Sequence, residues 1–404
     1  MSAAIALSEP PPRLGAEDLT QRARAIVARL RELAPEAERL RRVPDESMAL
    51  IRGAGLLRTI QPQSCGGHAQ SMRTYLDVVS TVAEGCGSSA WVLGVAQAHS
   101  WLMGHFPLQA QQDVYGADPD TMVAAVIGPR GKATRQADGS YVLNGTWPFG
   151  SGCQHAAWLL LGAVVHDAAG EVVDEADFLV PAAQVEIKDD WLVAGLQGTG
   201  SNTMVARDVV VPPHRYLSMP ALVTRQTAPY AAEDEDWFSR AQAVPVLTFC
   251  LVGGALGTAR AALDEFKRSV KGKRILYTSN HIADEWIPTQ IALAHAASQI
   301  HAADLVLYRA ADDIDAYARA NADMPLEIRA RIRMDCAFAV RLLMEAVDRL
   351  MLHGGASALS LKGGLQRAAR DLRATNMHGL LLFETNAEIY GRVLFGKDPG
   401  TPLV

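Results

Sequence analysis

The sequence predicts an α+β protein in which a β-rich segment lies between two helical segments. Apolar residues recur at helical spacing on both sides of residues 120–216, where short apolar runs alternate with turn residues. Because no helical pattern interrupts that middle region, its strands are expected to pair with one another in a small β-sandwich or barrel. We therefore predict an N-terminal α-helical domain (1–118), a central β domain (119–222) and a C-terminal four-helix-bundle domain (223–404).

The N-terminal segment carries start and stop signals for several helices. Apolar residues follow helical spacing over residues 19–30. Ser71 is suited to cap the helix that follows it, and a further apolar helix begins near Ser88 and ends before Pro107.

The remaining segments are punctuated by Gly and Pro. Asp138-Gly139 predicts a β-hairpin, and Pro212-Pro213 ends the last strand. Beyond a polar stretch at 222–236, four long helices are predicted over residues 242–270, 286–318, 325–353 and 360–395.

Bulk composition excludes several classes of function. A net charge of −6 without clustered Lys and Arg disfavours nucleic acid as a partner. Five scattered cysteines fit a reducing compartment, and the histidines show no metal-ligand spacing. The N-terminus has no signal-peptide pattern, and no uncharged apolar run reaches the roughly 18 residues of a membrane span. We expect a cytoplasmic protein without a metal or a membrane partner.

One segment, residues 144–152, has the composition of a ligand site. If it is a strand, Trp147 and Phe149 lie on the same face, because side chains alternate along a strand. Gly150 and Gly152 flank Ser151 and would let the backbone approach a planar ligand. An aromatic sandwich core with a glycine-rich turn is the alternative interpretation.

This string, G-x-W-x-F-[GAS]-S-G, resembles the flavin-facing strand of the acyl-CoA dehydrogenase superfamily. More narrowly, it resembles that of the group D two-component reduced-flavin monooxygenases, the type of the phenol and 4-hydroxyphenylacetate hydroxylase oxygenase components. The resemblance covers residues 18–404 in order. It is supported by residues 196–202 with Val209–Pro212, by Arg274 with Tyr277 and Gln290, and by Gly354-Gly355 ahead of Arg370-Asp371.

The resemblance implies an acyl-CoA dehydrogenase-like fold and a flavin-dependent monooxygenase. Such an oxygenase component takes reduced FMN or FAD from a separate flavin reductase and uses O2 as co-substrate. It then hydroxylates a small aromatic substrate, ortho to a hydroxyl group, through a C4a-hydroperoxyflavin. Relatives of this kind are commonly tetramers formed through the C-terminal bundle, so a homotetramer is expected.

The resemblance also implies roles for individual residues. His378 matches the histidine that acts as base or orienting group for the substrate, and His99 supports it. Ser151 would serve flavin N5, with Trp147 and Phe149 at the ring. The other implied residues are Trp91 and Trp101 at the substrate, and Arg274, Gly354 and Gly355 at the phosphate end, partly across a subunit boundary. Core packing is an alternative for both tryptophans and both histidines.

Three rival functions stay open. An acyl-CoA dehydrogenase with tightly bound FAD needs a glutamate eight residues after Asp371, where this chain has Gly379. Glu384 lies in a similar string but five residues late, and we expect it to be a surface or interface carboxylate. A relative that oxygenates nitrogen or sulfur uses the same cofactor chemistry. A catalytically silent protein of the same fold would act as a binding partner.

Overall fold

A computed structural model describes residues 12–227 and 234–404. The chain opens with helices, as predicted. Ser71 caps the third of them, since its Oγ accepts a hydrogen bond from the Thr74 N–H at 3.1 Å. The helices ahead of the sheet are α1 (Ala16–Leu40), α2 (Asp45–Gly53), α3 (Met72–Ala83), α4 (Gly87–Met103) and α5 (Leu108–Tyr115).

The β-rich segment forms one sheet with the strand order β5-β6-β2-β1-β3-β4-β7. Its strands are β1 (Val123–Arg135), β2 (Tyr141–Gly150), β3 (Trp158–His166), β4 (Val172–Pro181), β5 (Glu186–Ile187), β6 (Asn202–Val211) and β7 (Tyr216–Ser218). The predicted hairpin at Gly139, whose φ is 86°, joins β1 to β2. Tyr141 of β2 stacks on Tyr216 of β7 with ring centroids 5.2 Å apart, although the two strands are not neighbours. The sheet therefore curls over its own core.

The C-terminal helices follow the prediction except at two places. The helix predicted over 242–270 is interrupted by a turn at residues 250–252, and the last helix is divided. The C-terminal helices are α6 (Met219–Val223), α7 (Ala243–Phe249), α8 (Gly253–Val270), α9 (Ile287–Arg319), α10 (Leu326–Gly354), α11 (Gly364–Asn376) and α12 (Phe383–Leu394). The single helix predicted over 360–395 is wrong, because residues 377–382 break it. Buried Asn386 explains the break: its Nδ2 donates to the carbonyls of Leu380 and Leu382, while its Oδ1 accepts from Arg333 Nε at 3.0 Å.

The two helical segments share one hydrophobic core, whereas the sheet has its own. Helices α3 and α8 touch so closely that a Cβ on Gly257 would lie 1.8 Å from the Ser80 carbonyl oxygen. Tyr75 on α3 also donates its hydroxyl to the Cys250 carbonyl at 2.6 Å. The three-domain division at residues 118 and 222 stays a prediction.

All five cysteines are buried and none forms a disulfide, so they act as small apolar side chains of the core. Residues Ala243–Val270 are long and apolar enough to cross a membrane, but 78% of their apolar window is buried inside the protein. This stretch contributes to the shared core.

Candidate active site

One face of α4 keeps some exposure where the helix meets the sheet and the bundle, and we call this partly exposed surface the cleft. Trp91, Val95 and His99 follow one another at intervals of four residues and therefore lie on one side of the helix. They keep exposed fractions of 9%, 8% and 7%, whereas Trp101 on the other side has none. The stripe covers about 12 Å along the helix axis.

Trp101 does not belong to this cleft. It is fully buried, and its indole N–H donates to the Phe238 carbonyl at 3.2 Å. Its ring also makes an edge contact with His105. The interpretation of Trp101 as a substrate-binding residue is wrong, because a position two residues after His99 points away from the cleft.

Trp147 lies inside the core of the sheet. Its indole N–H donates to the Gly162 carbonyl at 2.7 Å, and a Cβ on Gly131 would come within 2.3 Å of its ring. The predicted alternation fails because a β-bulge lies between Trp147 and Gly150. Trp147 is fully buried, so the expectation that it covers a flavin is wrong.

The bulge turns Phe149 outward, to the rim. Phe149 has a φ of 71°, a strained value for a residue with a side chain, and is 61% exposed. Its ring meets that of Trp191 edge-on at a centroid distance of 6.1 Å. The contact of Phe149 with a flavin stays a prediction.

The glycines beside Ser151 are needed because methionine side chains pack against them. The expectation that they let the backbone approach a planar ligand is therefore corrected. A Cβ on Gly150 would lie 2.8 Å from the Met204 methyl group, and one on Gly152 would lie 2.5 Å from that of Met122. Both glycines therefore allow side chains to pack around the Ser151 turn.

Ser151 lies in a chain of hydroxyl groups. The Trp91 indole N–H donates to Ser151 Oγ at 3.1 Å, and Ser151 Oγ is 2.8 Å from Ser201 Oγ. Ser201 Oγ in turn is 2.7 Å from Thr199 Oγ1, which donates to the Leu196 carbonyl at 2.9 Å. Residues 196–202 belong to the pattern that resembles the flavin family, but the sequence alone assigned no role to Ser201 or Thr199. The sequence does contain a signal for this chain, since Ser151, Thr199 and Ser201 all lie next to glycines in two short segments.

His378 closes the cleft from the turn after α11. Its ring centroid is 5.9 Å from that of Trp91, so Trp91, Ser151 and His378 are brought together. The Leu380 N–H donates to His378 Nδ1 at 3.3 Å, so in the neutral ring the hydrogen resides on Nε2. Burial lowers the pKa of His378 to about 4.

His99 has the opposite tautomer. Its Nδ1 is 2.9 Å from the Val123 carbonyl oxygen and must donate to it, which leaves Nε2 with a free lone pair. Burial lowers the pKa of His99 to about 4, although the hydrogen bond that His99 donates to the Val123 carbonyl raises it. Both imidazoles are therefore neutral near pH 7.

The residues expected at the phosphate end lie near one another within this chain. Gly355 has a φ of 66° and a ψ of −167°, a conformation that essentially requires glycine. Lys273 Nζ donates to the Gly354 carbonyl at 2.7 Å and to Ser357 Oγ at 2.6 Å, which joins this turn to the exposed loop of Arg274. Phosphate binding by Arg274, Gly354 and Gly355 stays a prediction.

The dehydrogenase base has no counterpart in the described cleft. Gly379 is exposed at the expected position, with nothing within 4 Å of where its Cβ would be. The Glu384 carboxylate is exposed and lies 3.5 Å from Arg341 Nη1. Glu384 is therefore a surface carboxylate that pairs with Arg341.

Asp371 anchors the hydroxyl chain to the bundle. Its Oδ1 accepts the Leu196 N–H at 2.7 Å, and the neighbouring Arg370 donates to Glu38 on α1 at 2.6 Å. Burial raises the pKa of Asp371 to about 6, although the Leu196 hydrogen bond lowers it. These contacts join α11, α1 and the segment before β6.

Two other features of the described residues are set apart from the cleft. A cavity of about 310 Å³ next to α1 and α3 is lined by side chains that already pair, such as Arg260 with Asp304 and Tyr308 with Asp77. Within residues 12–227 and 234–404, no group of three His, Cys, Asp or Glu side chains is placed to hold a metal ion.

Comparison with known proteins identifies the fold and then the family. A family profile described as "Acyl-CoA dehydrogenase, C-terminal domain" matches residues 249–382. This fits the helical–sheet–helical order described above, which is that of the acyl-CoA dehydrogenase fold.

Relatives that are similar in both sequence and structure define a narrower family than the fold does. The flavin-dependent monooxygenase oxygenase subunit HsaA of Mycobacterium tuberculosis is 34% identical over 385 residues, which cover 94% of this chain and 95% of HsaA. Its crystal structure superimposes with a TM-score of 0.89 at 32% identity and covers 97% of this chain and 100% of that one. XiaF from Streptomyces sp., solved with FADH2 and glycerol, gives a TM-score of 0.90 at 30% identity, covering 96% and 97% of the two chains.

A third relative is the oxygenase component of the FADH2-dependent resorcinol hydroxylase of Rhizobium sp., with 31% identity over 94% of this chain and 95% of that protein. The chain belongs to the family of flavin-dependent monooxygenase oxygenase components. It is an oxidoreductase whose cofactor is reduced flavin and whose co-substrate is O2.

Proposed function

We propose that this oxygenase component hydroxylates a small phenolic substrate, bound between His99 and His378. The observation that carries the proposal is neutral His378 next to Trp91 and Ser151, with neutral His99 on the same side of α4 and Gly379 at the position of the dehydrogenase base. Its relatives include an enzyme named for resorcinol, a phenol. A phenol is activated at its ring carbons when its hydroxyl proton is drawn away, which an imidazole can do.

The residues of the cleft fit a flavin ring. Ser151 Oγ is half-buried and can accept one more hydrogen bond, while Trp91 and Val95 supply an apolar wall. Lys273 and Arg274 provide positive charge for a phosphate group near Gly355. A bound reduced flavin supplies the electrons with which O2 is activated. The apolar wall excludes water from the reacting groups.

The tautomers divide the work between the histidines. His99 Nε2 has a lone pair and is therefore the group that accepts the phenolic proton. His378 Nε2–H can only donate, so it orients a substrate oxygen. Sequence reasoning favoured His378 as base or orienting group, and the proposal keeps the orienting role for it while giving the base role to His99.

The proposed assembly is a homotetramer that works in the cytoplasm with a separate flavin reductase. An exposed apolar surface supports self-association, because large apolar patches mark protein contacts. We call it the GG-turn patch, and it consists of Leu276, Tyr277, Leu352, Leu359 and Leu361. Lys273 holds its two halves together through Gly354 and Ser357.

The test is a single-turnover reaction with chemically reduced FMN or FAD, isotopically labelled O2 and a panel of phenols, amines and sulfides. We expect a phenol to gain one labelled oxygen atom ortho to its hydroxyl. Label in an amine or sulfide alone would contradict the phenolic assignment. Reduction of tightly bound oxidised FAD by an acyl thioester, without incorporation of label, would indicate a dehydrogenase.

A further inference from the structure

We infer that Ser201 and Thr199 fix the direction, or polarity, of the Ser151 hydroxyl: its hydrogen points to Ser201 and its free lone pair faces the cleft. The cleft therefore favours reduced over oxidised flavin. The inference rests on the proposed placement of flavin N5 at Ser151. It assigns two positioning residues that act through Ser151.

The direction of the chain follows from counting hydrogens. A carbonyl oxygen has no hydrogen, so the 2.9 Å contact between Thr199 Oγ1 and the Leu196 carbonyl uses the single hydroxyl hydrogen of Thr199. Ser201 Oγ, 2.7 Å from Thr199 Oγ1, must then be the donor of that bond. With its own hydrogen used, Ser201 can only accept from Ser151 at 2.8 Å.

The second hydrogen-bond partner of Ser151, Trp91, is consistent with this direction. The Trp91 indole N–H is a donor only, so it occupies one lone pair of Ser151 Oγ at 3.1 Å. The Ser151 hydrogen points to Ser201, and one lone pair remains. A ligand atom at Ser151 must therefore bring a hydrogen of its own.

The polarity is anchored at its far end. Thr199 and Ser201 are buried, with 1% and 5% exposed, so water does not compete for their hydrogens. The Leu196 carbonyl also accepts the Trp191 indole N–H at 3.1 Å, and the Leu196 N–H is bound by Asp371. Reversing the chain would break the hydrogen bond from the Thr199 hydroxyl to the Leu196 carbonyl and would turn the Ser151 hydrogen towards the cleft.

The consequence is a distinction between the redox states of the cofactor. N5 of a reduced flavin carries a hydrogen and can donate to Ser151, whereas N5 of an oxidised flavin is a bare acceptor. A buried acceptor without a partner loses roughly one to two orders of magnitude in affinity. The spent flavin therefore leaves after turnover, as a diffusible supply of reduced flavin requires.

The experiment compares dissociation constants for oxidised flavin and for anaerobically reduced flavin, measured by titration calorimetry with FMN and FAD. We expect the wild-type chain to prefer reduced flavin. Ser201→Ala frees the Ser151 hydrogen to serve oxidised N5, so the preference should shrink about tenfold. Ser201→Thr keeps the hydroxyl and should restore it.

Ser239→Ala is the matched control, because it removes a buried serine hydroxyl that donates to the Asp236 carbonyl away from the cleft. A Ser201→Ala chain that loses affinity for both redox states by the same factor would overturn the inference and leave Ser201 with a structural role only. If the wild-type chain binds neither form, the proposed flavin placement itself is refuted. If the wild-type chain binds the two redox states equally, the proposed flavin site stands, but Ser201 and Thr199 do not fix the direction of the Ser151 hydrogen.

Discussion

The two cleft histidines both leave Nε2 free, but only in His378 does this nitrogen carry the ring hydrogen. His99 uses Nδ1 to donate to Val123, and His378 uses Nδ1 to accept from Leu380. Asparagine can replace a donating Nε2–H with its amide group but cannot act as a base near neutral pH. Substitution by Asn therefore separates the roles.

We expect His378→Asn to keep much of the product yield and His378→Ala to lose it. His99→Asn and His99→Ala should both lower product formation by about 100-fold or more, since a general base contributes on that scale. Product and hydrogen peroxide per reduced flavin are the measurements, with reduced-flavin binding as the control. Rescue by Asn at position 99 would contradict the assignment of the base.

The lowered pKa values predict the acid limit of the reaction. Burial lowers the pKa of His99 from 6.5 to about 4, so this ring stays neutral well below the usual range of histidine. Single-turnover product yield should therefore persist through pH 6.5 and fall only near pH 4. A midpoint near 6.5 would show that His99 is solvated or not required. Circular dichroism over the same range controls for unfolding, because the unfolded chain binds this proton more tightly and the free energy of unfolding falls from pH 6.5 towards 4.

At single positions, sequence reasoning succeeded where local rules suffice. The Ser71 cap and the proximity of Trp91, Ser151 and His378 agree with the structure. Trp147 was misplaced because strand alternation holds only without a bulge, and a bulge depends on the partner strand. The tautomers of the histidines depend on Val123 and Leu380, which no pattern in the sequence connects to those rings.

Among the elements, α11 connects the bundle to the site. Its Asp371 accepts the Leu196 N–H, so it holds the carbonyl at which the hydroxyl chain ends. The turn after α11 presents His378. Sequence reasoning merged α11 and α12 because both have helical spacing, and the interruption comes from Asn386 bonding to distant Arg333.

Asp371→Ala should lower the free energy of unfolding by about 1–3 kcal/mol, because a buried N–H loses its acceptor. Asp371→Asn keeps an oxygen and should cost less. The folded pKa is raised from 3.8 to about 6, so the folded chain binds the proton more tightly and the contribution of Asp371 to stability falls as the pH rises through that window. Urea unfolding at several pH values from about 4 to about 6 should show this fall in the wild type but not in Asp371→Asn. Equal pH slopes in the two chains would contradict the raised pKa.

For the whole molecule, the order of helical, sheet and helical segments was predictable because each has its own periodicity. The shared core of the two helical segments was not, since Gly257 and Ser80 meet across a long separation in sequence. Which surfaces of the bundle stay exposed also required the structure.

The GG-turn patch leads to a prediction for assembly. Combining Leu352→Glu with Leu361→Glu places two charges on this surface, which should dissociate the proposed homotetramer because charges are costly in the centre of an interface. Light scattering measures the mass, and Val172→Glu, at an exposed apolar position on β4, is the control. An unchanged mass would locate the contacts elsewhere. Weaker flavin binding by the dissociated chain would support a cofactor site completed by a second subunit.

The single core beneath both helical segments also limits how the cleft opens. Because α3 and α8 are in backbone contact at Gly257, the wall formed by α4 and the wall formed by the bundle cannot swing apart as separate rigid bodies without breaking that packing. Entry of a substrate should therefore depend on small movements at the rim, where Phe149 and Trp191 meet edge to edge. Rotation of the Phe149 or Trp191 side chain would then open the entrance, and the space freed by that rotation would limit the size of the aromatic compound that enters.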